Sequence, residues 1–250
     1  MSGDSTRSPL GFLAIQVDIH RPPGDPFNCR TWSFPLIHEL VEDSGEAKIV
    51  TKDPYDDDLL AHFVRAGISL AERGAVGLIT SCGFLALAQD RLASQLPIPL
   101  ATSALLQIPS ILVLLPKHTV VGVLTYDSAR LGTIHLQALG LDASRIRIRG
   151  MPAQGHLRKV IQCGAIYEAS AMEREMVEQA MRLIEEAELD RQTIGAIVLE
   201  CTQMPPYAEA IQRKTGLPIY DVYTMGEWFY NGLVRRTPVG WREDIRTDNK

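Results

Sequence analysis

The stretch GLITSCGFLALAQ (residues 77–89) carries an apolar run into a cysteine, Cys82, and then into a helix-like pattern. AIVLECTQMPPYA (196–208) does the same around Cys201. A short apolar run bounded by a turn reads as a buried strand. After each cysteine the chain passes through a helical pattern to a Leu-Pro-Ile strand, LPIPLATS from Leu96 and LPIYDVYT from Leu217, and then to a polar turn and a second helix. One shared tripeptide means little, but the same ordered set twice is an internal repeat. Two such α/β halves would bring the carboxyl ends of their strands to a shared cleft, where open α/β sheets bind ligands.

The rest of the chain alternates in the same way. Apolar runs predict strands over 12–17, 47–51, 75–80, 98–100, 120–125, 145–149, 194–199 and 218–220. Periodicity predicts helices over 32–42, 84–95, 103–115, 129–139, 167–188, 206–215 and 225–234. A further helix starts at the acidic cluster Asp56, Asp57 and Asp58, which suits the positive end of a helix dipole, and stops at Gly74. Buried strands separated by helices predict an α/β fold with parallel sheets. Residues 20–31, rich in Pro and Gly, read as a long loop.

Composition narrows the function. With 46% hydrophobic and 22% charged residues among 250, the chain has the make-up of a globular protein. A net charge of −5 argues against a nucleic-acid binder, and RIRIRG (145–150), the densest basic stretch, reads as a strand with one solvated face. The four cysteines form no CxxC and the six histidines show no ligand spacing, so no metal site is expected. Neither GxGxxG nor GxxxxGK[ST] occurs. The apolar region SALLQIPSILVLLP (103–116) is too interrupted to span a membrane, and the N-terminus lacks a signal-peptide pattern. A cytoplasmic protein with reduced thiols is expected.

A cysteine between a strand and a helix lies where the helix dipole and free N–H groups favour the thiolate. Two such cysteines facing each other could invert a carbon acid, one removing the proton and the other returning one to the opposite face. Cys29 and Cys163 read instead as packing residues, and Trp32, Trp228 and Tyr230 as core or subunit contacts. Asp18, ending the first strand, and Asn28, in the Pro/Gly loop, are candidates to line the cleft.

ECTQMP, TSCGF and VGVLTYDSARL together resemble the aspartate/glutamate racemase superfamily, which includes hydantoin racemases, arylmalonate decarboxylases and maleate isomerases. The resemblance implies two pseudo-symmetric Rossmann-like domains, 1–110 plus 217–250 and 111–216, with a shared interdomain cleft and no cofactor. It implies Cys82 and Cys201 as catalytic residues. Ser81, Gly83, Thr125, Tyr126, Thr202 and Gln203 join Asp18 and Asn28 as the expected substrate-binding set. Members acting on acidic amino acids follow the first cysteine with Asn-Thr, where this chain has Gly83 and Phe84. They precede the second with a small residue, where this chain has Glu200, and Gln203 stands in place of an acidic residue or histidine. The expected substrate is therefore a bulkier or less charged carbon acid, a carboxylate or hydantoin-like cyclic amide, and the expected activity is racemisation or isomerisation by two-base proton transfer. A decarboxylase or cis–trans isomerase using one cysteine, or a non-catalytic two-lobed binding protein, is the alternative. The expected partners are small molecules and further copies of the chain, a homo-oligomer, with no nucleic acid and no membrane.

Overall fold

A computed structural model describes residues 7–237 and Trp241 of the chain. The first part runs β1 (Leu10–Ala14), β2 (Leu36–Leu40), α1 (Glu46–Ile49), α2 (Asp57–Glu72), β3 (Leu78–Thr80), α3 (Gln89–Ala93) and β4 (Leu100–Ala101). The second runs α4 (Ile108–Leu114), β5 (Thr119–Thr125), α5 (Thr133–Ala138), β6 (Ile146–Gly150), α6 (His156–Cys163), α7 (Ala169–Leu189), β7 (Thr193–Leu199), α8 (Ala208–Thr215) and β8 (Ile219–Tyr220), and α9 (Val222–Leu233) follows. The strands form two four-stranded parallel sheets, ordered β2-β1-β3-β4 and β6-β5-β7-β8. The order is the same in both, so the repeat extends to every strand. The fold is α/β with two lobes.

The local physics of the covering helices is plain. Asp56 caps α2, its Oδ1 accepting the Leu59 N–H at 2.7 Å. Leu59, Leu60, Phe63, Ala66 and Leu70, at helical spacing, bury one stripe of α2 in the first lobe's core. Gly74, at φ +90°, lets the chain turn out of the helix. On the second sheet Met172, Met176, Ala180, Leu183 and Ala187 form the equivalent stripe of α7.

Two expectations are exchanged. Residues 32–42 do not form a helix; Leu36–Leu40 is an edge strand paired in parallel with β1 along its whole length. Residues 47–51 do not form a strand; Glu46–Ile49 is a single helical turn whose Ile49 points into the core. In the first, the ladder offered by β1 overrides local pattern. The helix α6 went unpredicted, and the helices after both cysteine turns open with 3-10 turns, residues 83–88 and 205–207.

The chain returns to the first lobe only after β8, which belongs to the second sheet, rather than at Leu217. Val222, Met225 and Tyr230 of α9 pack with Phe12, Ile79 and Phe34, and the Tyr230 hydroxyl donates to Ser8 O at 2.8 Å. Trp32 and Tyr230 are core residues, whereas Trp228 stands on the surface. Cys29 and Cys163 are exposed, not packing residues: one opens a loop turn, and the other ends α6 off its buried face of Leu157 and Val160. The expected first-lobe segment 217–250 lies outside the described residues beyond 237, Trp241 excepted. Among the described residues no helix is long and apolar enough to cross a membrane.

A candidate active site between the lobes

The strands β3 and β7 end at Thr80 and Leu199, and the turns that follow meet face to face. The Thr202 hydroxyl donates to Ser81 O across the junction at 2.8 Å, and Ser81 Oγ accepts the Ile15 N–H at 2.8 Å. Cys82 and Cys201 line one cavity of about 430 Å³, counted out to its mouth, and both thiols are free. Its remaining wall is largely apolar, with Ile15, Val17, Val50, Phe84 and Ile161. Of the expected substrate-binding residues, Ser81, Gly83, Tyr126, Thr202 and Gln203 also line it.

Three expected residues do not. Asp18 is exposed to solvent outside the cavity wall. Asn28 supports the loop: its Nδ2 donates to Arg21 O at 2.8 Å and its Oδ1 accepts the Arg30 N–H at 2.9 Å. Thr125 stands behind the wall, where its hydroxyl donates to Glu200 Oε2 at 2.6 Å.

The thiols are not the dipole-activated thiolates that their position after a strand suggests. Each accepts one backbone N–H, Cys82 from Phe84 and Cys201 from Gln203, which favours the thiolate. Burial acts more strongly and pushes both thiols well up, and the Glu200 carboxylate adds to the effect at each. A 3-10 turn offers too little dipole to overcome that desolvation.

Sequence reasoning missed Arg21 and Glu46, and met Glu200 only as an oddity before the second cysteine. Glu200 is 1% exposed, and burial pushes its carboxyl up to about 7 despite hydrogen bonds from Thr125 and the Tyr126 N–H. Arg21 is a cation of the cavity wall, its Nη2 donating to Val17 O at 3.2 Å and its Nη1 lying 3.4 Å from Asp25 Oδ2. Asp25 is fully buried and accepts from Gln203 Nε2, so the 20–31 loop is fastened to the Cys201 turn. Glu46, from α1, also lines the cavity, beside Tyr126. The Tyr126 hydroxyl faces the Glu46 carboxylate, and its ring lies 5.0 Å beneath the Arg158 guanidinium. Both thiols feel the Glu200 carboxylate first among charges; Cys201 then feels Asp25 and Arg21, and Cys82 feels Glu46. The only available signal for Arg21 was a cation inside a Pro/Gly loop, and Glu46 had none. Among the described residues no group of three His, Cys, Asp or Glu side chains could hold a metal ion.

No family model matches the sequence. Among curated proteins it is 24% identical over 232 residues to a dimethylsulfoniopropionate lyase of Durusdinium sp. clade D, covering 90% of this chain and 75% of the relative. It is 25% identical over 230 residues to dimethylsulfoniopropionate lyase 7 of Emiliania huxleyi (strain CCMP1516), covering 90% and 67%. Among solved structures it is similar to the allantoin racemase of Klebsiella pneumoniae, with TM-score 0.60, 13% identity, and 90% and 87% of the two chains covered. It is also similar to an aspartate racemase homologue of Pyrococcus horikoshii OT3 (TM-score 0.57, 14% identity, 91% and 99% covered) and to unliganded arylmalonate decarboxylase (TM-score 0.55, 15% identity, 90% and 92% covered). The two matched parallel sheets thus share the two-lobed α/β fold of these racemase and arylmalonate decarboxylase structures.

Proposed function

We propose that this chain is a lyase acting on a short carboxylate that carries a cationic leaving group, with Cys201 as the base. The observation that carries the reading is that a guanidinium, Arg21, and a carboxylate, Glu46, line the same cavity as the two thiols. A substrate carboxylate paired with Arg21 sets its neighbouring carbon by Cys201. A cationic group further along the chain then meets Glu46 and the face of Tyr126. Dimethylsulfoniopropionate, named in the curated relatives, has this layout, with a carboxylate and a sulfonium two carbons apart.

The chemistry balances. The Cys201 thiolate takes the proton next to the carboxylate, and the C–H electron pair becomes the new C=C bond. The carbon–sulfur bond breaks with its electrons going to sulfur. The products are neutral dimethyl sulfide, acrylate and a proton on the thiol, which passes to solvent. A thiol pushed up by burial is a strong base once ionised, and an arriving cation favours its ionisation. The substrate therefore helps to activate its own base.

Incubation with dimethylsulfoniopropionate should release dimethyl sulfide, measured in the headspace, and acrylate in equal amount. Absence of both, at enzyme concentrations where the folded protein is verified, sinks the lyase. A second reading, racemisation, is favoured by two thiols from opposite lobes lining one cavity. It requires single enantiomers of 2-substituted acids or hydantoins to take up solvent deuterium with inversion and without loss of a group.

A further inference from the structure

Residue 83 has no side chain, and Glu200 occupies the space a side chain there would need. A Cβ built on Gly83 would stand 2.4 Å from Glu200 Oε1 and 2.5 Å from the Glu200 carbonyl oxygen. Such a contact cannot be relieved by turning one flexible side chain, because half of it is backbone. The first lobe thus leaves a gap beside Cys82 that the second lobe fills with a carboxyl group.

The two oxygens of that carboxyl are not equivalent. Oε2 accepts from the Thr125 hydroxyl at 2.6 Å and from the Tyr126 N–H at 3.4 Å. Oε1 has no hydrogen-bond partner among the described residues and lies at the Gly83 turn, in the wall of the cavity. A proton on this group therefore belongs on Oε1, since both neighbours of Oε2 donate to it. An Oε1–H placed there has nothing in the protein to donate to, and the cavity is where its acceptor would come from.

We propose that Glu200 is a substrate-contacting hydrogen-bond donor, its Oε1–H holding the anionic group of the substrate in the gap that Gly83 leaves beside Cys82. This rests on the reading that the substrate carries a carboxylate, and it adds a second grip to that of Arg21. The consequence for chemistry is direct. A neutral acid hydrogen-bonded to the substrate carboxylate makes the adjacent C–H more acidic and stabilises the enediolate as charge moves onto its oxygens. Protonation of Glu200 also removes the negative charge that discourages both thiols from ionising.

Around Glu200, burial pushes up Cys82, Cys201, Tyr55 and Tyr126, and it also raises Asp25, the carboxyl that Gln203 holds beside the Cys201 turn; Arg21 and Glu46 complete the charged groups of the cavity wall. Burial holds Glu200 itself at about 7.

The test uses propionate, which has the carboxylate without the leaving group, and titration calorimetry in buffers of different ionisation enthalpy. Wild type should bind propionate with proton uptake near neutrality, and the affinity should fall by about tenfold per pH unit above the Glu200 pKa. Glu200→Gln keeps a donor in the gap but cannot titrate. It should bind propionate without proton uptake and with affinity flat across the same range. Glu200→Ala should bind at least about tenfold more weakly, as expected for losing a hydrogen bond to a charged group. Binding by wild type that is independent of pH, or equal binding by Glu200→Ala, overturns the donor role while leaving the carboxylate reading intact. No binding of propionate by wild type at about pH 6, below the Glu200 pKa, overturns both.

Discussion

In the first lobe Cys82 follows a strand of three residues and precedes a glycine; in the second Cys201 follows a strand of seven and is preceded by a carboxylate. Although the 3-10 turn opens at Gly83 in one and only at Pro205 in the other, the backbone N–H two residues on acts on each thiol, so that contact is duplicated. The side chains around it are not. The second turn supplies Glu200, the Thr202 hydroxyl that reaches Ser81, and the Gln203 amide that fastens Asp25, whereas the first supplies space. The repeat copied a place for a thiol, while Arg21 and Glu46, both outside the repeated turns, bring unlike groups to the cavity wall. A symmetric cavity would suit inversion of a carbon; one with unlike groups suits a substrate with two unlike ends.

The sharpest way to break this contrast is to remove the thiols one at a time. Cys201→Ser should lower dimethyl sulfide release by about 10²–10⁴-fold, the range expected for losing a general base, while Cys82→Ser should cost about tenfold or less. Equal collapse of both variants, with circular dichroism unchanged, would erase the asymmetry and restore the two-base mechanism.

Glu46→Gln sharpens the contrast from the other end of the cavity. If Glu46 receives the cationic group, this variant should raise KM by about tenfold, the worth of a charged contact, with kcat little changed. Binding of propionate, which has no cationic end, should not move. A parallel loss of propionate binding would show that Glu46 shapes the cavity rather than reading charge.

The smallest effect concerns reactivity. Iodoacetamide should first alkylate the exposed Cys29 and Cys163 with little loss of activity, because access favours them and burial pushes the two cavity thiols up. Peptide mass spectrometry against residual activity follows the order. Cys201 modified ahead of Cys29 would mean that its thiol ionises readily in the resting protein, against the effect of burial.

Much of this molecule is written in short-range pattern. The strands β5 and β7, seven residues each and almost wholly buried, announce themselves as apolar runs, and the cysteines that follow mark the site. What escaped is what depends on partners distant in sequence. Residues 36–40 are only half-buried and become a strand because β1 offers a parallel edge, and 46–49 form a turn of helix despite an apolar run that favours a strand. Asp18 and Asn28 lie close in sequence to the residues that matter, yet the cavity takes Arg21 from the same loop, because Asp25 and Gln203 fix which face of the loop turns inward. Glu200 was visible as an unusual neighbour of Cys201. Its meaning lay at Gly83, in the other half of the chain.

The late return of the chain has a consequence for synthesis. The second lobe is one uninterrupted segment from α4 to β8, and the first is closed by α9, which covers Phe12 and Ile79. On a ribosome the lobe begun first is thus finished last, and the lobe begun second can complete its core while the first still waits for its final helix. Until Val222–Leu233 emerges, one face of the first sheet is open apolar surface, and the nascent chain is then most exposed to aggregation and to chaperones.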